Sequence, residues 1–154
     1  MGPTVTGGTL NAFAKQPVVE VGKVALAFGE ISERLRGLEL PEVDLVVGIA
    51  TGGTVPAAML AHQLGVPLAL LRINYRAEDN SPQRPAPELL EPPPSVGGAR
   101  RALLVDDVSV SGATLEAARA ALPALEVTTL TLKGRADLVI FPEVASCVAW
   151  PWKA

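Results

Sequence analysis

Four short apolar runs constrain this chain more than anything else in it. They are "DLVVGIA" (44–50), "VPLALLRI" (66–73), "RALLVDD" (101–107) and "EVTTLTL" (126–132). A strand with one face in water alternates apolar and polar residues, whereas a strand covered on both faces has no need to. Between the runs lie segments with helical signals. "TVPAAMLAHQLG" (54–65) has Thr54 placed to cap, Pro56 in the first turn and Gly65 at the end, where those residue types favour helix start and stop. "ATLEAARAAL" (113–122) is built largely of good helix formers. Strands alternating with helices imply an α/β chain with a mostly parallel sheet covered on both faces.

The flanks extend this pattern. Residues 18–36 place Val21, Val24, Ala25, Phe28, Ile31 and Leu35 at helical spacing, with Gly37 suited to the helix end. "DLVIF" (137–141) and "SCVAW" (146–150) are expected as short strands of a terminal flap. The stretch from Asn74 to Arg100 breaks the alternation with proline, glycine and charge. A loop of roughly 25 residues inside a compact domain is usually a lid, a binding segment or disorder. No internal repeat is visible, and 154 residues suit one domain.

Composition excludes several classes. A hydrophobic content of 49% argues against whole-chain disorder. No apolar run reaches the roughly 18 residues of a membrane span. "MGPTVTGGTLNAFAKQP" lacks the basic start and apolar core of a secretory signal. The single cysteine, Cys147, rules out an intramolecular disulfide and reads as a small packing residue. Together these features lead to an expected cytoplasmic location. A net charge of -3 argues against a general nucleic-acid binder. One histidine, His62, and one cysteine do not make a zinc site.

The chemistry gathers in two places. "IATGGT" (49–54) and "SVSGAT" (109–114) each follow a predicted strand and lead into a predicted helix. Ligands of open parallel sheets bind at the carboxyl ends of the strands. Small-residue turns at helix starts present backbone N–H groups to anions. Two such loops suit two separated phosphate groups. Asp106 and Asp107 stand just ahead of the second loop. Burying two adjacent carboxylates is costly unless something compensates. Hydroxyl groups or a cation would do so. A phosphorylated sugar with vicinal hydroxyls and Mg²⁺ meets every one of these demands, since Mg²⁺ characteristically takes one or two carboxylates plus substrate phosphates. A Walker-type nucleotide loop is not supported, because G-x-x-x-x-G-K-[ST] does not occur.

"ALLVDDVSVSGATL" closely resembles the PRPP-binding signature of type I phosphoribosyltransferases, and "VVGIATGGTVPAAMLAHQLGVPL" resembles their pyrophosphate-loop region, in the same order and spacing. The resemblance spans about residues 43–152 and is greatest to the short microbial 6-oxopurine enzymes, of xanthine-guanine and hypoxanthine type. It implies the type I phosphoribosyltransferase fold, a mostly parallel five-stranded sheet flanked by helices with a small C-terminal hood. One domain would then cover 1–154. Its core would span about 18–132, with a flexible loop at 74–100 and a hood from about 133–154 plus the N-terminal segment. The implied reaction is transfer of 5-phosphoribose from PRPP to a purine base, by a homodimer that uses Mg²⁺; charge and hydropathy add the expectation of no nucleic-acid and no membrane partner.

The resemblance also implies roles. Asp106 and Asp107 would hold the ribose hydroxyls directly or through Mg²⁺. Val110, Ser111, Gly112, Ala113 and Thr114 would wrap the 5′-phosphate. Thr51, Gly52 and Gly53 would bind pyrophosphate, beside a peptide bond that in this family is often cis without proline. Tyr75 would belong to the flexible loop. Lys133, Cys147 and Val148 would meet the base, and Pro151 with Trp152 matches the family's ending. Two positions depart from the 6-oxopurine pattern: Val110 replaces a third aspartate thought to assist proton transfer, and Cys147 replaces the stacking aromatic. These departures leave two alternatives beside the purine enzyme, a non-catalytic PRPP or nucleotide-binding regulatory protein and a phosphoribosyltransferase for another base.

Overall fold

A computed structural model of the chain describes residues 23–77 and 81–153. They form two compact units, one spanning Glu39–Val144 and the other made of the residues up to Leu38 together with those from Ala145 on. No helix among the described residues is long and apolar enough to cross a membrane.

The larger unit carries β2 (Leu45–Ala50), α2 (Thr54–Leu64), β3 (Leu68–Asn74), β4 (Glu88–Leu89), β5 (Arg101–Ser109), α3 (Ala113–Ala120), β6 (Glu126–Gly134) and β7 (Leu138–Val139); β1 (Lys23–Ala25), α1 (Phe28–Arg36) and β8 (Cys147–Ala149) belong to the smaller one. In the larger unit the strand order is β4-β3-β2-β5-β6-β7. All pairings are parallel except β3 with β4, where Ile73 faces Leu89 and Asn74 faces Glu88. The expected five parallel strands are therefore present, and the long loop adds a short sixth at the edge.

The continuous apolar runs are explained by cover on both sides. Leu45, Val47, Ile49, Leu71, Ile73, Ala102 and Leu104 form one core with Leu115, Ala118, Leu122 and Leu125 of α3 and the turn after it. Alternation along each strand sends Val46, Gly48, Leu103 and Val105 to the other face. There α2 approaches so closely that a Cβ on Gly48 would fall 2.6 Å from the Cβ of Ala57. Gly65 ends α2 in the left-handed region at φ 68°, its N–H reaching back to the carbonyls of Ala61 and His62, as a C-terminal glycine does.

Four expectations are corrected. Thr54 does not cap α2; Gly53 holds that position with no side-chain cap, and Thr54 is already helical. The predicted helix over 18–36 begins only at Phe28, and residues 18–22 lie outside the described residues. Lys23–Ala25 instead pairs in parallel with Cys147–Ala149, so inter-strand bonding overrides the helical spacing at that end of the stripe. "DLVIF" joins the main sheet, Leu138 and Val139 pairing with Leu130 and Thr131. Cys147 is exposed, not a packing residue. In the smaller unit Ile31 and Leu35 are buried while Phe28 is 47% exposed. Phe28 lies 5.9 Å from Trp152, which stacks on Trp150 at 5.4 Å.

The amino ends of β2 and β5 are tied by one carboxylate. Asp44 accepts the Arg100 N–H on both oxygens at 3.1 Å and the Arg101 N–H at 3.0 Å, while its own N–H donates to the Arg101 carbonyl. The Arg100 and then the Arg101 backbone bonds hold this carboxyl below its usual range. A depressed folded pKa contributes stability above the unfolded pKa that is lost as pH falls through the folded one. Asp44→Ala should therefore lower Tm at neutral pH, and the gap to the parent should close as the pH is taken down through the carboxylate range. Thermal melts across that range provide the check; a gap that stays constant with pH would contradict the assignment.

Candidate functional site

Strand order determines where the site lies. From β2 the chain steps to β3 on one side, while β5 leads to β6 and β7 on the other. The order reverses between β2 and β5, and the loops after these two strands leave toward opposite faces. A crevice opens at the carboxyl ends at such a point, where open α/β sheets bind their ligands. Both small-residue loops flank it. Residues 51–53 run from the end of β2 into α2, and residues 110–112 run from the end of β5 into α3.

The glycines of the first loop are required by the second strand. A Cβ on Gly52 would fall 2.5–2.6 Å from the carboxylate atoms of Asp107. On Gly53 it would collide with the Val105 carbonyl oxygen and come within 2.9 Å of the Asp106 Cα. The loop thus lies directly against the Asp107 carboxylate and the backbone of Val105 and Asp106, and the peptide bond that enters it, Ala50–Thr51, is cis. The structure brings together Thr51, Gly52 and Gly53 with Asp106 and Asp107, residues more than fifty positions apart.

Asp106 and Asp107 are 8% and 7% exposed. Each accepts the next backbone N–H: Asp107 N donates to Asp106 Oδ1 at 2.8 Å, and Val108 N to Asp107 Oδ1 at 2.7 Å. Bonds of this length to a charged acceptor offset part of the desolvation cost. Strand alternation sends the two carboxylates to opposite faces. Asp107 meets Gly52 on the α2 side; Asp106 lies on the α3 side, in register with Thr131, whose buried Oγ1 has no hydrogen-bond partner. Lys133 stands two residues further along β6 on the Asp106 side, in register with Val108 and half-buried.

The second loop is built for close approach. Gly112 adopts φ 88° at the head of α3, a conformation that suits glycine. Val110 is 48% exposed, and the Ser111 Oγ accepts the Ala113 N–H at 3.3 Å. Tyr75 lies just past β3 and is half-buried. Of the predicted base contacts, Lys133 belongs to the larger unit, and Cys147 and Val148 to the smaller, where they pair with Lys23 and Val24.

Two features escaped the sequence reading. Gly134, at φ 106°, passes so close to Ser109 that a Cβ would collide with its carbonyl, and Arg135 N donates to that same oxygen at 2.9 Å. The "KGR" triplet gave a signal, since a glycine after a strand marks a close backbone approach. The other is Arg76, which donates to Ser111 Oγ at 3.2 Å. Its signal was a cation beside Tyr75, a position already singled out.

Comparison with known proteins follows the same lines. Residues 22–135 match the family model described as phosphoribosyl transferase domain. A xanthine-guanine phosphoribosyltransferase of Gluconobacter oxydans is 34% identical over 80 residues, which is 51% of this chain and 46% of that protein. An orotate phosphoribosyltransferase of Lactococcus lactis is 28% identical over 115 residues, 70% of this chain and 51% of that protein. The chain spans about half the length of these curated relatives. The crystal structure of a purine phosphoribosyltransferase from Pyrococcus horikoshii superposes with a TM-score of 0.70 at 26% identity, covering 87% of this chain and 96% of that one.

The two loop glycines should respond differently to a methyl group. At Gly53 the obstacles are backbone atoms that cannot turn aside, so Gly53→Ala should cost about 1–3 kcal/mol, the usual range for overpacking. At Gly52 the obstacle is the Asp107 side chain, which can rotate away. Gly52→Ala should therefore cost less stability while displacing a carboxylate. Urea denaturation of both variants tests this, and equal losses would count against the packing described.

Proposed function

The chain belongs to the phosphoribosyltransferase family, and from that premise we propose that it transfers 5-phosphoribose from PRPP to a purine base, a 6-oxopurine such as hypoxanthine, guanine or xanthine, giving a nucleoside monophosphate and pyrophosphate. The observation that carries this reading is the convergence at the switch point. Two small-residue loops, each heading a helix, leave the carboxyl ends of the adjacent strands β2 and β5, and β5 carries the buried Asp106 and Asp107, the second with its carboxylate against Gly52. The purine assignment is supported by likeness to the Gluconobacter and Pyrococcus enzymes.

In this reading the C1′–oxygen bond to pyrophosphate breaks, a C1′–nitrogen bond to the base forms, and the N–H proton of the base passes to the departing pyrophosphate or to solvent. Residues 110–114 hold the 5′-phosphate through backbone N–H groups at the start of α3. Thr51, Gly52 and Gly53 hold the departing pyrophosphate at the start of α2. Asp106 and Asp107 accept hydrogen bonds from the ribose hydroxyls, and their negative charge favours the positive charge that develops on the sugar. Lys133 suits an exocyclic oxygen of the base; Cys147 and Val148 of the smaller unit are further candidates for contact with it. Tyr75 belongs to the segment that covers PRPP and excludes water from the reacting sugar.

The carboxylate pair also fits Mg²⁺. Both groups are hard oxygen donors, the kind Mg²⁺ takes when one or two carboxylates hold it and substrate oxygens complete its shell. Asp106 and Asp107 would hold it, and when bound it would neutralise charge on the pyrophosphate. The reading includes a homodimer, for which the exposed Leu68, Leu70 and Leu90 offer apolar surface.

A second reading is favoured by Val110, whose half-exposed hydrocarbon at the head of the loop can move no proton. It is a protein that binds PRPP or a nucleotide for regulation without turning it over. Pyrophosphate release with PRPP and Mg²⁺ should discriminate, using guanine, hypoxanthine, xanthine, adenine and orotate as acceptors. The enzyme reading expects nucleotide from at least one 6-oxopurine. Formation of orotidylate alone would move the acceptor to a pyrimidine, and PRPP binding without any product would favour the regulator. In a separate measurement, joint replacement of Asp106→Asn and Asp107→Asn should weaken PRPP binding at least about tenfold, or 1.4 kcal/mol, with the fold retained. Unchanged affinity by calorimetry would remove the carboxylates from the site.

A further inference from the structure

Arg76 follows β3 by two residues, yet its guanidinium reaches the loop at the end of β5. Its Nη2 donates to Ser111 Oγ at 3.2 Å, across 35 positions of sequence. The same oxygen accepts the Ala113 N–H at 3.3 Å. The Arg76 guanidinium carbon lies 4.7 Å from the centroid of the Tyr75 ring, within the range of a cation–π contact. The backbone beneath is held in place. Gln83 N and Arg84 N donate to the Tyr75 carbonyl at 2.6 and 3.2 Å, and Arg76 bridges Pro82 in antiparallel fashion. The Arg84 side chain binds Asn74 Oδ1 at 2.9 Å and Glu88 Oε2 at 2.7 Å.

Ser111 Oγ is thus one oxygen on which a guanidinium and a helix-start N–H converge. Both bonds are at or beyond the long end of the N–H···O range. Residues 108–114 contribute no charged side chain, while Asp106 and Asp107 just before them would repel an arriving phosphate. Positive charge for that phosphate has to come from outside the loop. Resting on the phosphoribosyl reading above, we propose that Arg76 is a binding residue for the 5′-phosphate. Its guanidinium exchanges Ser111 Oγ for a phosphate oxygen, and so discriminates a phosphorylated sugar from a plain one. A phosphate oxygen accepts such donors at about 2.7–2.9 Å, more strongly than a hydroxyl does. The planar fork of arginine matches it.

The test separates the two anion sites of the protein. Ribose 5-phosphate carries only the 5′-phosphate, and pyrophosphate stands for the other subsite. Binding of each is measured by calorimetry to the full chain and to Arg76→Ala and Arg76→Lys, with ligand-free melts to verify folding. Arg76→Ala should weaken ribose 5-phosphate about tenfold and leave pyrophosphate within about twofold. Arg76→Lys, which keeps charge but not the fork, should fall between and serves if the alanine variant does not fold. Equal ribose 5-phosphate affinity in all three proteins would overturn the role of Arg76 and leave the phosphoribosyl reading standing. Loss confined to pyrophosphate would overturn it too, by placing Arg76 at the other subsite. If the parent binds neither compound, the phosphoribosyl reading itself falls and this proposal with it.

Discussion

The parallel pairing of β2 with β5 is the constraint on which the rest depends. These two strands are not neighbours in sequence; β3 and the long loop intervene. Their pairing makes the sheet reverse its order and sends α2 and α3 to opposite faces, the arrangement at whose carboxyl ends open α/β sheets bind ligands. At the amino ends Asp44 bonds the Arg100 and Arg101 backbone and sets the register of the pair. At the carboxyl ends the match is steric: Gly52 and Gly53 have no side chains because Asp107, Val105 and Asp106 occupy that space. A chain that paired β2 elsewhere would keep its strands and helices and lose the site.

Charge at the crevice follows from the same packing. Two adjacent carboxylates are buried where backbone donors and helix starts surround them, so the site presents negative groups between two anion-friendly loops. That combination suits a ligand with phosphates at both ends and hydroxyls in the middle. Arg76 adds fixed positive charge beside the second loop, carried by a segment whose backbone is organised by the Tyr75 carbonyl and by Arg84. The stretch that reads as an irregular loop is, near its base, an ordered extension of the sheet edge.

Much of this was legible in the chain. The unbroken apolar runs announce strands covered on both faces, and the small-residue turns after two of them mark where the chain can present backbone N–H groups at helix starts. Asp106 and Asp107 stand out because no turn needs both. What the sequence misjudged shares one cause. The stripe from Val21 to Leu35 has helical spacing, yet Lys23–Ala25 is a strand because a distant segment, Cys147–Ala149, offers backbone partners. β4 was invisible because two residues carry no periodicity, and only the edge of β3 makes them a strand. Arg76 does not stand out in the sequence, because nothing local distinguishes a cation that reaches Ser111 from a solvated one.

The sequence by itself determined the elements and the chemical inventory: which segments are apolar enough to be buried, where the chain can turn tightly, and which residues can hold anions, hydroxyls or a hard cation. These follow from side-chain hydrophobicity and backbone freedom over a few residues. Only the tertiary structure decided that Gly52 lies on Asp107, that Lys133 shares a side of the sheet with Asp106, and that Arg76 meets Ser111. Such contacts join positions far apart in the chain. They arise when strand order and register bring those positions together, and no local preference encodes that.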